Sequence, residues 1–257
     1  VALLFGGNSS EHDVSKRSAH NIYDAMDKEK YDVSLFMFTK DGILLNNAYS
    51  QRIFDGEPEA DVVKDAYQHM DLDRPLAPIM ALNELSGVDF FYPVIHGNLG
   101  EDGTVQGLLE LAGIPIVGCH TLASAVCMDK EMAHRLAKAA GVKVPCSVLL
   151  TKENSAQAEE AAVELGYPLF VKPLRAGSSF GITKVTEQGQ LKDALALAFT
   201  YDSAVVMEEM IEGFEVGCAV LGTRELFVGA VDEIELSEGF FDYTEKYTLK
   251  SSRIYVP

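Results

Sequence analysis

The residues best suited to chemistry lie between Pro168 and Thr183. An apolar run leads to Lys172 and Pro173, a small-residue turn follows through Ala176, Gly177, Ser178 and Ser179, and Gly181 precedes a second run from Ile182 to Val185. This order reads as strand, loop, strand. Glycines let such a loop lie close over a ligand. Its successive N–H groups and two hydroxyls suit phosphate oxygens, and Lys172 adds a point charge from the strand before it. Read locally, the same stretch is equally a surface hairpin with a solvated lysine.

Three further groups could join it. Glu11 stands in Ser9-Ser10-Glu11-His12-Asp13, just after the glycine turn Gly6-Gly7. It is either a partner for the positive end of the next helix or a carboxylate that anchors a substrate amine. His96, Glu101 and Asp102 share a loop with Gly97, Gly100 and Gly103. They could line a site or hold a metal, or the acids could cap the next helix and order the loop. Glu208, Glu209, Glu212 and Glu215 crowd the end of an apolar strand. They read as a solvated strand end or as a hinge that hydrogen-bonds a base and a ribose.

The elements that must carry these groups follow from periodicity. Val1 to Phe5 is a fully apolar run of the buried, parallel type. A helix is expected over Lys16 to Lys28, with Ser9, Ser10 or Asp13 as its cap. Strands are expected at Tyr31 to Phe38, Val88 to Ile95 and Ile114 to Gly118, and residues 46–80 read as an irregular excursion with short helices. Thr104 to Leu111 is a helix, and Thr121 to Ala139 reads as one long helical region ended by Gly141 and Pro145. Ser147 to Leu150 is a strand and Asn154 to Leu165 a helix. After the Lys172 hairpin come a helix over Gln188 to Phe199 and a strand at Ala204 to Met207. Val216 to Leu221 and Leu226 to Glu235 suggest an antiparallel meander. The pattern predicts an α/β N-terminal domain with a mostly parallel sheet over 1–118, then an α+β unit over 119–199 built round the hairpin, and a further piece over 200–257.

Composition bounds the function. Of 257 residues, 39 are acidic and 21 basic, for a net charge of −18. That argues against nucleic acid and anionic membranes as partners, though local lysines can still build an anion pocket. No apolar run reaches the roughly 18 residues of a membrane span. The N-terminal run has no basic signal pattern, so a cytoplasmic location is expected. Cys119, Cys127, Cys146 and Cys218 are too far apart for a zinc site and read as buried free thiols. No G-x-G-x-x-G and no G-x-x-x-x-G-K-[ST] occurs, which disfavours Rossmann and P-loop readings.

Six pieces in order resemble the D-alanine–D-alanine ligase family of ATP-grasp enzymes, including the D-alanine–D-serine ligases of vancomycin-type resistance. They are Phe5 to Asn8 with Glu11 to Ser15, His96 to Gly103, Met128 to Lys130, Val171 to Pro173 with Gly177 to Ile182, Glu208 to Glu215, and Phe241 to Tyr247. The resemblance implies ATP-dependent joining of two D-amino acids through an acyl phosphate, for peptidoglycan precursors, with Mg²⁺ or Mn²⁺. It places ATP on Lys130, Lys172, Gly177, Ser178, Ser179, Gly181, Glu208, Met210, Ile211 and Glu215. It places the amino-acid substrates near Glu11, Val14, His96, Glu101 and Ser178, with Glu11 on the ammonium of the first. It makes Glu11, Ser178 and Tyr247 a hydrogen-bonded trio and sets Lys246 against the transferred phosphate. A homodimer is expected, with D-alanine and a second D-amino acid as partners.

The family's metal acids and a transition-state arginine find no counterpart before Pro257, and Asp232 and Glu233 do not match that motif. The chain is therefore expected to lack part of the C-terminal ATP-grasp subdomain, to carry no metal ligand, and to be inactive as an isolated piece; because it opens on Val1 without an initiator Met, it is also expected to lack its first residues. Tyr247 disfavours D-lactate as second substrate and leaves D-alanine and D-serine open. The alternatives are another ATP-grasp carboxylate–amine ligase, which would share the ATP half but not Glu11 to Ser15, or a nucleotide-binding module without catalysis.

Overall fold

The structure, a computed structural model, describes residues 1–69, 85, 87–235 and 253–257. Two compact units, Val1–Leu136 and Ala137–Pro257, divide the chain.

In the first unit β1 (Ala2–Gly6) pairs in parallel with β2 (Ser34–Phe38) and β4 (Phe91–Pro93), while the short β3 (Leu44–Leu45) pairs antiparallel with β2. The strand expected at Ile114 to Gly118 is reduced to one parallel bridge between Phe91 and Ile116. Every residue of β1 is buried, because the sheet is covered on both faces. Leu3 and Phe5 face Ala19 of α1 (His12–Ala25), Ile53 of α2 (Asn47–Phe54) and Val62 of α3 (Glu59–His69). Ala2 and Leu4 face Val105 and Leu109 of α4 (Thr104–Leu111). The mostly parallel sheet expected from the apolar runs is thus present, and the excursion after residue 46 supplies two of its helices.

The region expected to be one helix is two, α5 (Thr121–Met128) and α6 (Lys130–Ala139). Asp129 between them is extended, at φ −84° and ψ 105°, and its Oδ1 accepts from the Met132 N–H at 3.0 Å. An aspartate that caps a new first turn ends the previous one. Lys130 is thereby the first residue of α6.

The second unit holds an antiparallel sheet in the order β5 (Ser147–Thr151), β8 (Ala204–Glu209), β6 (Leu169–Pro173), β7 (Thr183–Val185). Strand alternation sorts its residues. Leu169, Val171, Val205 and Met207 pack on the alanine-rich faces of α7 (Ala158–Leu165) and α8 (Leu191–Tyr201). Phe170, Lys172, Val206 and Glu208 alternate with them and so belong to the opposite face. A second antiparallel sheet, β9 (Glu215–Leu221), β10 (Phe227–Glu235) and β11 (Arg253–Tyr255), forms the meander expected there.

The four cysteines are free, as expected, but all four are exposed rather than buried. Cys119 follows a single bridge, and Cys218 sits on β9, whose side chains mostly face outward. No helix among the described residues is long and apolar enough to cross a membrane.

Candidate functional site

Glu11 occupies the N-terminal boundary of α1 and is buried. The N-cap position falls on Glu11 rather than on Ser9, Ser10 or Asp13, and it makes no side-chain cap hydrogen bond. Ser9 serves the loop instead. Its Oγ accepts from the Glu11 N–H at 3.1 Å and donates to the His96 carbonyl at 2.7 Å, so one hydroxyl joins the two loops that carry Glu11 and His96. The loops pack closely enough that a Cβ on Gly97 would stand 2.8 Å from Glu11 Oε2. Val14, one turn on, is buried with the core.

The acids of the His96–Gly103 loop order it. Asp102 accepts from the Leu99 N–H at 3.0 Å and the Thr104 N–H at 2.9 Å, and Glu101 accepts from the Gly97 N–H at 2.8 Å. Burial would raise the Glu101 carboxyl, but His96 and that N–H hold it below the usual carboxylate range. Gln106 of α4 braces the loop from beneath, its Nε2 donating to the Gly100 carbonyl at 2.6 Å. His96, Glu101 and Gln106 line a cleft of about 550 Å³ with Ser124 and Met128.

Sequence reasoning missed the brace behind Glu11. His12 is buried, with Nδ1 2.8 Å from the Gly7 carbonyl and Nε2 3.1 Å from Glu59 of α3, whose other bond comes from Lys16 at 2.7 Å. Nothing local marks Glu59, which lies 47 residues from His12. The His12 hydrogen bond, with help from Lys16 and against burial, lowers the Glu59 carboxyl from 4.5 to about 2. A carboxyl depressed in the folded state stabilises the fold above its unfolded pKa, and that contribution disappears as pH falls through the folded value. Glu59→Gln is therefore expected to lower the urea midpoint most near neutral pH, with the gap to wild type closing between pH 4.5 and 2. A gap that stays constant with pH would show that the ionised pair contributes nothing.

In the second unit Lys172 and Glu208 form an ion pair across β6 and β8, where Phe170 is directly opposite Glu208. Glu208 is buried and Lys172 half-buried. The loop over this strand end bends through two consecutive left-handed serines, Ser178 at φ 44° and Ser179 at φ 62°. Non-glycine residues are rarely held so, and such strain concentrates at ligand clamps. Ile211 and Glu209, just past Glu208, line a cleft of about 640 Å³ with Lys138, Lys143 and Pro145. Sequence reasoning assigned no role to Lys138 or Lys143. Glu209 Oε1 accepts from the Cys146 N–H at 2.7 Å and its carboxylate pushes the Cys146 thiol up. Met210 lies between Glu209 and Ile211, and Glu215 opens β9, exposed.

The arrangement therefore offers one cation beside a buried acid, a strained amide-rich loop, and a cleft against the last strand residues. That suits a nucleotide's phosphates and base. Of the remaining expected site residues, Lys130 begins α6 in the first unit, and Lys246 and Tyr247 lie outside the described residues. Among the described residues no three His, Cys, Asp or Glu side chains gather where a metal ion could sit.

Comparison with known proteins bears on both units. The family profile described as D-ala D-ala ligase N-terminus matches residues 1–119, and that described as D-ala D-ala ligase C-terminus matches residues 136–257. A D-alanine–D-alanine ligase of Limosilactobacillus fermentum is 53% identical over 260 residues, covering 99% of this chain and 69% of that protein. The crystal structure of the VanG D-Ala:D-Ser ligase from Enterococcus faecalis superposes with a TM-score of 0.75 at 45% identity, covering 99% of this chain and 75% of that one. The D-alanine–D-alanine ligase of Bacillus anthracis complexed with ATP gives a TM-score of 0.67 at 26% identity, over 100% and 69%.

Proposed function

The chain belongs to the D-alanine–D-alanine ligase family of ATP-grasp fold, and from that premise we propose that it joins two D-amino acids at the expense of ATP for peptidoglycan precursor synthesis. The observation that carries the reading is the second unit's sheet, whose strand face opposite the two helices presents the Lys172–Glu208 ion pair at the root of a strained serine–glycine loop. The solved ATP complex of a family member supports ATP as the nucleotide.

Each step then has a physical role. Lys172 and Lys130 hold the phosphates, and the amides of Gly177 to Gly181 cover them. Glu208 accepts from the adenine amino group, Met210 and Ile211 pass along the purine, and Glu215 bonds the ribose. Glu11 binds the ammonium of the first D-alanine near Val14, His96 and Glu101, and Lys246 meets the transferred phosphate. The carboxylate of that D-alanine attacks the γ-phosphorus, ADP leaves, and an acyl phosphate forms. The amine of the second amino acid attacks its carbonyl carbon, and phosphate departs from the tetrahedral intermediate. Positive charge along this path stabilises the transferring phosphoryl group. A closed lid keeps water from the acyl phosphate. We assign Glu11, Ser178 and Tyr247 to the contact that closes it.

A bound Mg²⁺ or Mn²⁺ would supply further counter-charge on the phosphates, and no described cluster is assigned to it. The proposal retains the division at 1–118, 119–199 and 200–257, a cytoplasmic location and a homodimer. D-serine as second substrate is the competing reading, supported by the 45% identity to a D-Ala:D-Ser ligase. The test uses the product of the full gene with ATP, D-alanine and D-serine, reading ADP and dipeptide masses. D-alanine-dependent ADP release with D-alanyl-D-alanine as main product is expected. Excess D-alanyl-D-serine would assign the competing reading, and ATP binding without D-alanine-dependent ADP release would refute both.

A further inference from the structure

Asp202 is in an unfavourable place for an acid. It terminates α8, at the negative end of the helix dipole, and its side chain is only 9% exposed. Nothing in α8 itself accounts for it. Its partner distant in sequence, Arg175, lies at the start of the 174–182 loop. Oδ2 accepts from the Arg175 backbone N–H at 2.9 Å and from Arg175 Nε at 3.2 Å, and Oδ1 accepts from the second guanidinium nitrogen at 3.1 Å. Ser203 Oγ and the Ala204 N–H also donate to Oδ1, each at 3.3 Å. Burial would raise this carboxyl, yet the Arg175 bonds and the Ala204 N–H hold it below the usual carboxylate range.

The residue before it grips the other end of the loop. The Tyr201 ring lies so close to Gly181 that a Cβ there would stand 2.5 Å from Tyr201 Cδ2 and 2.8 Å from Pro173 Cγ. Gly181 is also left-handed, at φ 69°. Phe180 tilts against the same ring, with centroids 6.1 Å apart. Two consecutive residues at one helix end thus hold both stems of the loop. The left-handed Ser178 and Ser179 lie between them.

We propose that Asp202, seconded by Tyr201, is a positioning residue for phosphoryl transfer: it fixes the two stems of the 174–182 lid so that only the serine apex moves when nucleotide binds. The role acts through Arg175 and Gly181 and needs no contact with substrate. It rests on the ligase reading, since a lid matters most when an acyl phosphate must be kept from water. A loosened stem lets water reach that intermediate, which then hydrolyses to D-alanine and phosphate. ATP is consumed without dipeptide.

The experiment compares Asp202→Ala, Asp202→Asn and Arg175→Ala with wild type in the full gene product. Thermal melts verify folding, and Arg175, 48% exposed, provides a variant whose loss leaves the core intact. Both alanine variants are expected to release severalfold more ADP per dipeptide than wild type and to lose ATP-induced hydrogen-exchange protection over 174–182. Asp202→Asn keeps an acceptor for the Arg175 N–H and is expected to recover most of the coupling. An unchanged ADP-to-dipeptide ratio and unchanged exchange in folded alanine variants would overturn the proposal, leaving Asp202 a stabilising cap only. Absence of D-alanine-dependent ADP release in wild type would instead defeat the ligase reading, and the exchange measurement with ATP alone still decides the role of the clamp.

Discussion

Replacing Lys172 by alanine is expected to cost stability and ATP binding together, and a second substitution separates the two. Lys172 is paired with Glu208, whose side chain is 4% exposed. Removing the cation beside a buried carboxylate typically costs about 3–5 kcal/mol, because the acid retains its desolvation penalty. Losing one charged phosphate contact, at about 1.5–3 kcal/mol, weakens ATP binding roughly 10- to 100-fold. Lys172→Met with Glu208→Gln removes both charges and keeps much of the volume. This double variant is expected to recover most of the urea midpoint but none of the ATP affinity. If Lys172→Ala binds ATP as tightly as wild type in calorimetry, Lys172 is not a phosphate ligand. If the double variant regains both properties, affinity was lost only through unfolding.

Legibility in the sequence followed the range of the interactions. Runs such as Val1 to Phe5 and the hairpin round Lys172 carry their own periodicity, and both appear as strands and loop where expected. The left-handed serines were foreshadowed by the small-residue turn, although the glycines beside them had looked the more natural bend. The break at Asp129 was missed because Met128 to Lys130 drew attention as a motif while its aspartate acted as a cap. The cysteines misled because an apolar thiol is usually buried, whereas burial depends on which layer covers its element. Glu59 and Asp202 were invisible for a different reason. Each is an ordinary surface-type acid in sequence, and each acquires meaning only from a partner 47 or 27 residues away. Arg175, the partner of Asp202, belongs to the same class. The residues proposed to touch substrate were named from type and motif, and those that brace their loops emerged only from the contacts.

The second large effect is expected at Gly6, where position rather than charge decides. Gly6 ends β1 at φ 84°, and a Cβ there would stand 2.2 Å from the Phe38 carbonyl oxygen and 3.2 Å from His12 Cε1. The first neighbour is backbone in the paired strand and cannot rotate away. The same carbonyl accepts from the Gly7 N–H at 2.8 Å, so relieving the overlap breaks the turn that Gly7 begins. The His12 bond to the Gly7 carbonyl would move with it, and so would the start of α1 at Glu11. Gly42 supplies the control, since it is also left-handed, at φ 78°, but has no atom of the described residues within 4 Å of its would-be Cβ. Gly42→Ala carries the backbone cost alone, about 1–2 kcal/mol. Gly6→Ala adds the collision and is expected to cost roughly 4 kcal/mol or more, at the upper end for single substitutions. Urea unfolding of the two variants measures the difference directly. In the full gene product, Gly6→Ala is also expected to raise the KM for D-alanine, which Gly42→Ala leaves near wild type. Equal destabilisation by both substitutions would show that the strand end yields, and that the Gly6–Phe38 approach does not set the position of Glu11.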